Sequence, residues 1–353
     1  YSNSTNIYPV TNATFVNYCT FQNNGSYDLR NNKENSKVTN SSFKSKVDLA
    51  ENATVTNNTF DEGYLNLGGR WSLSQVVISV QNNTFQNTST AITYQPGGYR
   101  GCYNTGAALG SGDPCHKEAS ITISNNLIQD SSVGIKTSSF WPLNSSGLPL
   151  PLITIDNNTI INNSSTAIAL GSESTSSGFG GYKAGNILIS NNKLISNGSG
   201  ICACGGDDGY VTIDSNHIIG NGISSGDDQG NAISTTSYGA KTIRNNTVSG
   251  YTSNTSMPLI YIKYASSGIT TLNNNFLVGN EDYAVYVDDD NGDATLASNW
   301  WGTTSTTELQ ALTYDWNDNP TKSSVIYSSL LSAPATSAPP APPQNLAAQV
   351  GPT

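Results

Sequence analysis

Short alternations of apolar and polar residues recur along the chain, and most of them surround a pair of asparagines. The phrase reads apolar-x-apolar-x-Asn-Asn-x-apolar, with examples at residues 78–85, 121–128, 153–160 and 187–194. Alternation at a period of two predicts short β-strands with one buried face. The shortest repeat is about two dozen residues long, because the second asparagine falls at positions 58, 83, 126, 158, 192, 216, 246, 274 and 299.

Repeats of this length, made of strands and without a helical pattern, predict a right-handed parallel β-helix of about ten or eleven coils. Asparagine tolerates the left-handed backbone of a tight turn, and stacked amides can both donate and accept hydrogen bonds between coils. An immunoglobulin-type sandwich is the competing all-β fold, but it gives no reason for a fixed asparagine column. The apolar residue two positions further on is expected to stack in the core, as Phe43, Phe60, Phe85, Ile128, Ile160, Leu194, Ile218, Val248, Phe276 and Trp301.

A second strand is expected after each asparagine phrase, at residues 91–94, 134–137, 167–170, 200–203, 232–235, 259–262 and 284–287. Most variation in repeat length follows this strand, and insertions on one face of a solenoid commonly form its binding surface. Outward residues of this strand should form one lane of Thr93, Lys136, Ala169, Cys202, Ser234, Tyr261 and Tyr286. A second lane should contain Gln95, Ser138, Gly171, Cys204, Thr236, Lys263 and Asp288.

Composition narrows the class of protein. The 353 residues include 15 Lys+Arg and 25 Asp+Glu, for a net charge of -10, and only 11% of residues are charged. Nucleic-acid binding needs clustered basic residues, so the acidic balance argues against a nucleic-acid partner. No apolar run approaches the roughly 20 residues of a membrane span. A chain rich in Asn, Ser, Thr and Gly that still has 18 Tyr to bury suits an extracellular or cell-surface all-β protein.

The C-terminal part of the chain carries two aromatic motifs. They read SNWWGTT at residues 298–304 and YDWND at residues 314–318. Together they resemble the closing segment of bacterial and archaeal right-handed β-helix surface proteins, in the broad pectate-lyase-like group of parallel β-helix repeats. The resemblance covers about residues 50–332 and is informative about the fold rather than the function.

Three segments are expected along the chain. Residues 1–332 form the β-helix, and residues 333–343 form an extended, semi-rigid linker rich in Pro, Ala and Ser. Residues 344–353 resemble the first strand of a fibronectin type III domain, cut off after Thr353. A modular tail of this kind suggests that the parent protein continues.

Cysteines and N-glycosylation sequons both give information on the cellular compartment of the protein. Cys102 and Cys115 flank a Gly-rich loop and are expected to form a disulfide. Cys202 and Cys204 lie two apart on a strand, where a local bridge, two free thiols or a metal pair all stay open, and Cys19 is left over. Asn-x-Ser/Thr sequons arise easily in such a chain, and those in the ladder are expected to be buried. Those in turns could carry glycans, the candidates being Asn3, Asn12, Asn24, Asn40, Asn52, Asn87, Asn144, Asn163, Asn197 and Asn254.

Aromatic residues are concentrated in the expected loops and on the outward lane beside them. Flat aromatic faces suit the C–H faces of sugar rings, and a long groove along a solenoid suits a polymer. The alternative is that these rings pack the loops onto the helix. The candidates for carbohydrate binding are Tyr99, Tyr103, Trp141, Phe179, Tyr182, Tyr238 and Tyr261.

Acidic pairs recur on the same side of the predicted helix. Carboxylates from neighbouring coils could hold Ca²⁺, the one cofactor that the sequence suggests, although the same pairs make good solvated turns. The candidate ligands are Asp207, Asp208, Asp227, Asp228, Asp288 and Asp290. The hydrolases of this group need two or three clustered aspartates, for which the first four are the inner candidates.

The resemblance also implies a lyase alternative, because polysaccharide lyases of this fold use Ca²⁺ and a basic residue that takes the proton beside a uronate carboxylate. Lys263 and Lys136, with Asp227, are the candidates for the catalytic set, and Lys241 is a further candidate base. Each lysine could act only if burial or a neighbour lowered its pKa. Neither His116 nor His217 has a recognisable catalytic partner.

Two functions follow as hypotheses. The first is a non-catalytic extracellular surface protein, an adhesin or filament subunit, that presents aromatic loops to glycans or to neighbouring subunits in self-assembly. The second is a Ca²⁺-assisted polysaccharide lyase, or related carbohydrate-active enzyme, acting on an acidic polysaccharide. The first is favoured because no firm catalytic set is present.

Overall fold

The chain winds into a right-handed parallel β-helix with three sheets. The computed structural model describes residues 15–22, 27–31, 35–50, 52–68, 76–95, 119–137, 152–170, 186–203, 210–220, 230–235, 240–251, 258–263, 268–277, 283–289 and 292–340. Within these residues, most coils contribute one short strand to each sheet, and each strand pairs in parallel with its equivalents in the neighbouring coils. The predicted fold class is confirmed.

Sheet A contains twelve strands in strictly increasing chain order. Its apolar residues alternate with polar ones, so that one face lines the interior and the other faces outward. The strands are β1 (Phe15–Asn17), β3 (Lys37–Thr39), β6 (Thr54–Thr56), β9 (Val76–Gln81), β12 (Ala119–Ser124), β15 (Leu152–Asp156), β18 (Asn186–Ser190), β21 (Val211–Asp214), β24 (Lys241–Arg244), β27 (Ile269–Leu272), β30 (Ala294–Thr295) and β32 (Val325–Ile326).

Sheet B contains nine shorter strands, each of which follows the asparagine corner of its coil. Most have three residues, of which the central one points inward. They are β4 (Ser42–Phe43), β7 (Thr59–Asp61), β10 (Thr84–Gln86), β13 (Leu127–Gln129), β16 (Thr159–Ile161), β19 (Lys193–Ile195), β22 (His217–Ile219), β25 (Thr247–Ser249) and β28 (Asn275–Leu277).

Sheet C contains eleven strands and matches the second strands expected from the sequence. One short helix, α1 (Thr306–Ala311), precedes its last strand. The strands are β2 (Tyr27–Asn31), β5 (Lys46–Leu49), β8 (Leu65–Gly68), β11 (Thr90–Gln95), β14 (Val133–Thr137), β17 (Thr166–Leu170), β20 (Ser199–Ala203), β23 (Ile233–Thr235), β26 (Ile260–Ile262), β29 (Val285–Val287) and β31 (Thr313–Tyr314).

An asparagine ladder runs through the corner between sheets A and B. From Asn83 onward, each ladder Oδ1 accepts the backbone N–H of the ladder asparagine one coil earlier at 2.8–3.0 Å. The same Oδ1 accepts the Nδ2 amide of that residue at 2.9–3.0 Å. All nine predicted positions are buried, from Asn58 to Asn299. Stacked amides therefore satisfy polar groups that the solenoid interior would otherwise leave unpaired.

The residue before each ladder position turns the corner. Asn57, Asn82 and Asn157 have φ between 53° and 57°, and the equivalent residues of the other coils lie in the same left-handed region. Asparagine reaches this conformation at lower cost than most residues. The first asparagine of the phrase thus makes the turn, and the second makes the ladder.

The predicted apolar column is confirmed as the centre of the core. Phe43, Phe60 and Phe85 stack with ring centroids 5.0 and 4.4 Å apart, and Phe276 meets Trp301 at 4.5 Å. Every member of the column is at most 1% exposed. Aliphatic side chains fill the coils between the two aromatic ends.

The last coils are closed by a small cap. Ser305 is the N-cap of helix α1, because its hydroxyl accepts the backbone N–H of Glu308, and the helix buries Leu309 completely. The Tyr327 ring packs edge-on against Trp301 at 5.8 Å. Burial raises the pKa of Tyr327 well above its ordinary value. The cap therefore covers the apolar end of the stack, as the SNWWGTT motif suggested.

Residues 331–340 lie against the outer face of sheet B, and we refer to them as the C-terminal strap. The amide of Asn275 accepts the backbone N–H of Ala335 at 2.7 Å and donates to its carbonyl at 3.1 Å. One coil earlier, the Thr247 hydroxyl donates to the carbonyl of Pro339. Most of the expected linker is therefore held on the β-helix. The fibronectin-like residues 344–353 lie outside the described residues.

Candidate functional site

The outward lane of sheet C has the register that the sequence predicted. Each residue of the lane pairs with the equivalent residue of the next coil, in the order Thr93, Lys136, Ala169, Cys202, Ser234, Tyr261 and Tyr286. Ala169, Cys202 and Ser234 are at most 8% exposed although they point away from the core. The accessible part of the lane therefore lies at its ends.

Tyrosines occupy the C-terminal end of this lane. Tyr286 stacks on Tyr314 at 4.6 Å with the rings 6° from parallel, and Tyr261 stacks on the other side of Tyr286 at 5.8 Å. Tyr283 meets Tyr286 and Tyr314 edge-on, at 6.4 and 5.6 Å. We refer to these four residues as the tyrosine ladder. All four side chains are partly exposed.

Asp288 connects the tyrosine ladder to the cap. Asp288 accepts a hydrogen bond from the Tyr261 hydroxyl at 2.9 Å and pairs with the Lys322 ammonium. Burial opposes ionisation of Asp288, but the bonds from Lys322 and Tyr261 outweigh it, so its pKa is lowered. The same bond raises the pKa of Lys322. Burial, and then the charge of Asp288, raises the pKa of Tyr286. Asp288 thus links one ring of the tyrosine ladder, Tyr261, to Lys322 of the cap.

The stacking decides what the ladder can offer a ligand. Neighbouring rings cover one another's faces, so Tyr286 presents mainly its edge and its hydroxyl. Tyr261, Tyr286 and Tyr314 thus form a row of phenol groups along the solenoid axis, with ring centroids 5.8 and 4.6 Å apart. Such a row suits a hydroxyl-rich polymer that lies parallel to the axis and exchanges hydrogen bonds with successive coils.

The candidate catalytic residues do not come together as one set. Lys263 follows β26 and lies one coil before Asp288, close enough for their charges to interact. Lys136 is exposed in β14, five strands of sheet C away from β29, or roughly 24 Å at the usual strand spacing. Asp227 lies outside the described residues. Lys263 and Asp288 are neighbours, and Lys136 is remote from both.

Lys241 has the lowered pKa that a catalytic base would need, but it points inward. It is 2% exposed, and it pairs with Val211 and Ile269 in an otherwise apolar column of sheet A. Burial lowers its pKa to about 8, and the charge of Asp289 opposes that shift. A polymer on the surface cannot reach this ammonium. The residue therefore belongs to the interior rather than to a catalytic surface.

The metal candidates are mostly outside the described part of the chain. Asp207, Asp208, Asp227, Asp228 and Asp290 lie there, so their predicted role stays a prediction. Asp288 is described, and its neighbours are Tyr261 and Lys322 rather than another carboxylate. Among the described residues, no group of three or more metal-ligating side chains is present.

Most of the other expected site residues also fall outside the described ranges. For carbohydrate binding these are Tyr99, Tyr103, Trp141, Phe179, Tyr182 and Tyr238, and for the expected disulfide they are Cys102 and Cys115. Of the carbohydrate candidates, Tyr261 is the one that the structure describes. Cys202 is disulfide-bonded, so a free thiol is the wrong reading for that residue. Cys19 is free and half-buried.

The sequons divide by burial. Asn163 and Asn197 are at most 1% exposed, and the carbonyl oxygens of their side chains accept backbone N–H groups of the preceding coil. A glycan on either amide would be incompatible with this packing, so these two candidates are wrong in the folded protein. Asn40, Asn52 and Asn87 lie in turns with left-handed backbone and stay predictions. Asn3, Asn12, Asn24, Asn144 and Asn254 lie outside the described residues.

Sequence reasoning missed three members of the site. Tyr283 precedes β29, whereas Tyr314 and Lys322 come after the helix of the cap. Only Tyr314 carried a signal, because it opens the YDWND motif. A search of family models, curated proteins and solved structures found no match to this chain. Among the described residues, no helix has the length and apolar character needed to cross a bilayer.

Proposed function

We propose that this chain is an extracellular, cell-surface β-helix protein, an adhesin or filament subunit, whose tyrosine ladder contacts glycans or neighbouring subunits. The observation that carries the proposal is the row of partly exposed, stacked tyrosines at one end of the outward lane. Phenol edges beside an ion pair give a surface that is both apolar and rich in hydrogen-bonding groups. Polysaccharides match this mixture, because their rings alternate C–H faces with hydroxyls.

The extracellular location and the affiliation with pectate-lyase-like surface proteins are parts of the same proposal. The low content of charged residues, the closing SNWWGTT segment and the β-helix itself support them. A following fibronectin type III domain would fit a surface protein of this kind. Residues 344–353 carry that resemblance in sequence alone.

Pull-down by insoluble polysaccharides tests the ladder directly. Tyr286→Ala removes the central ring and should reduce the affinity for the polysaccharide about two- to tenfold, since an aromatic contact is worth roughly 0.5–1.5 kcal/mol. Tyr286→Phe separates the hydroxyl from the ring and should give an intermediate loss. Tyr210→Ala is the matched control, because Tyr210 is 62% exposed and lies before β21 of sheet A. Equal retention of all four proteins would refute this surface.

A polysaccharide lyase is the second candidate, and the proximity of Lys263 to Asp288 favours it. In this role Lys263 would take the proton beside a uronate carboxylate, and Ca²⁺ held by neighbouring aspartates would neutralise that carboxylate. Incubation with a panel of uronate polymers should then release unsaturated products that absorb ultraviolet light. Lys263→Met should abolish their release and Lys136→Met should not. Absence of such products from every polymer would remove this candidate.

A further inference from the structure

The corner between sheets A and B sorts the asparagines of the repeated phrase into two kinds. The second asparagine of each phrase is buried in the ladder, as in Asn58, Asn83, Asn158 and Asn246, which are at most 2% exposed. The first asparagine has left-handed backbone and lies at the surface. Asn57, Asn82 and Asn157 are exposed, and Asn245 is partly exposed.

In four coils the residue after the ladder asparagine is threonine, which makes the first asparagine an Asn-x-Thr acceptor. These phrases begin at Asn57, Asn82, Asn157 and Asn245 and read NNT. The side chain that a transferase would modify is therefore the outward one, and the buried ladder residue is only the middle position of the sequon. The burial that rules out Asn163 and Asn197 does not apply to these four residues.

Local contacts at the corner also tolerate a modification. The Nδ2 of Asn157 donates to the Asn125 Oδ1 at 2.6 Å, and that of Asn245 donates to the Asp214 Oδ1 at 3.0 Å. An N-glycosylated amide keeps one N–H and can still make either bond. The glycan itself would extend into solvent, because the side chains of these turn residues lie at the surface.

We propose that Asn57, Asn82, Asn157 and Asn245 carry N-linked oligosaccharides, which form a line along the corner between sheets A and B. The proposal rests on the extracellular location proposed above. In the transfer, the asparagine Nδ2 forms a bond to the anomeric carbon of a glycosyl phosphate donor. The anomeric C–O bond breaks, the phosphate carrier leaves, and the amide loses one proton. This line of glycans lies away from the tyrosine ladder, which is on the outer face of sheet C.

Glycopeptide mass spectrometry of the full chain, purified from its native source, tests the assignment. We expect glycans at the four corner residues and none at Asn125 or Asn191, which have the same left-handed backbone but are followed at the second position by Leu127 and Lys193. Glycans at other sequons, such as Asn87, with the corner residues bare would overturn the inference and leave the extracellular location standing. A chain without any glycan would overturn it as well, whereas polysaccharide pull-down judges the tyrosine ladder separately.

A gain-of-site variant tests whether the corner itself is accessible. Leu127→Thr creates a sequon at Asn125 in the same column, and secretion from a eukaryotic cell line should add the mass of one further glycan. Leu127→Val is the matched control and should add none. If the wild-type corner residues were occupied and Asn125 stayed bare in Leu127→Thr, the corner geometry would not be what makes these asparagines acceptors.

Discussion

At the scale of single residues, the ladder asparagines are the most constrained positions. Asn192 accepts two hydrogen bonds from Asn158 and donates to Asn216 and to the carbonyl of Ile155. Removing its amide leaves the buried backbone N–H of Asn158 unpaired and also removes the hydrogen bonds to Ile155 and Asn216, whereas the Nδ2 of Asn158 keeps the carbonyls of Ile123 and Asp156 as acceptors. A buried donor without a partner costs about 1–3 kcal/mol, because the folded state cannot replace the lost bond with water.

Asn192→Ala should therefore lower the free energy of unfolding by roughly 2–5 kcal/mol, since one buried donor is left unpaired and two further buried hydrogen bonds are lost. Asn191→Gly is the matched control. Asn191 directly precedes the ladder residue, is exposed and has left-handed backbone. Glycine adopts this conformation freely, so we expect the free energy of unfolding to change by less than about 1 kcal/mol. Urea unfolding followed by circular dichroism measures both. Similar losses in the two variants would mean that the amide stack contributes little.

Lys241 gives the protein a specific dependence on pH. Its pKa is lowered to about 8 in the folded state and has its ordinary value of 10.5 in the unfolded chain. Between these values the unfolded state binds more protons, so stability rises as pH increases from about 8 to about 10. The gain should be on the order of 1–3 kcal/mol and should vanish in Lys241→Met. If the free energy of unfolding depended on pH in the same way in both proteins, the burial of the Lys241 ammonium would be contradicted.

At the scale of elements, the strands of the β-helix could be predicted from the sequence, whereas the contacts of the cap and of the C-terminal strap could not. Alternating residues around Ile155 or Ile189 indicate both the strand and its buried face, and Tyr261 and Tyr286 follow from the same alternation. Tyr314 and Lys322 come after helix α1, where the repeat has ended, so no periodicity places them against Tyr286. The outward lane was thus predictable up to the cap, and the ion pair with Asp288 was not.

The C-terminal strap is the clearest case of an element whose contacts composition could not predict. Proline and alanine predicted an extended linker, whereas residues 331–340 contain bends and a turn in which the Ala338 N–H donates to the carbonyl of Ala335 at 3.4 Å. Their attachment depends on Asn275, whose position in the sequence gave no indication that its amide would bind the backbone of Ala335. Side-chain to backbone bonds of this kind have no sequence period.

Asn275→Ala should release the strap. The variant loses both hydrogen bonds to Ala335, so proteolytic cleavage within residues 331–340 should become several-fold faster while the β-helix stays intact. Thr270→Ala is the matched control, because Thr270 is exposed on the outer face of sheet A in the same coil. Limited proteolysis with mass spectrometry compares the cleavage rates. Unchanged cleavage in Asn275→Ala would show that the amide does not hold the strap.

At the scale of the whole molecule, the account depends on coils stacked in register along one axis. Distances along this axis can be measured on sheet A, because Thr54, Thr212 and Thr270 occupy the same outward lane. Thr54 and Thr212 are five strand spacings apart, and Thr54 and Thr270 are seven apart. The separations of the backbone should therefore be roughly 24 Å and roughly 34 Å.

Pulsed electron spin resonance on doubly spin-labelled protein measures these two separations. The stacked β-helix predicts that the distance from residue 54 to residue 270 exceeds that from residue 54 to residue 212 by about 10 Å, two strand spacings, with a single narrow population for each. Equal distances, or a shorter distance for the pair that is further apart in the chain, would contradict the parallel stack and with it the placement of the tyrosine ladder.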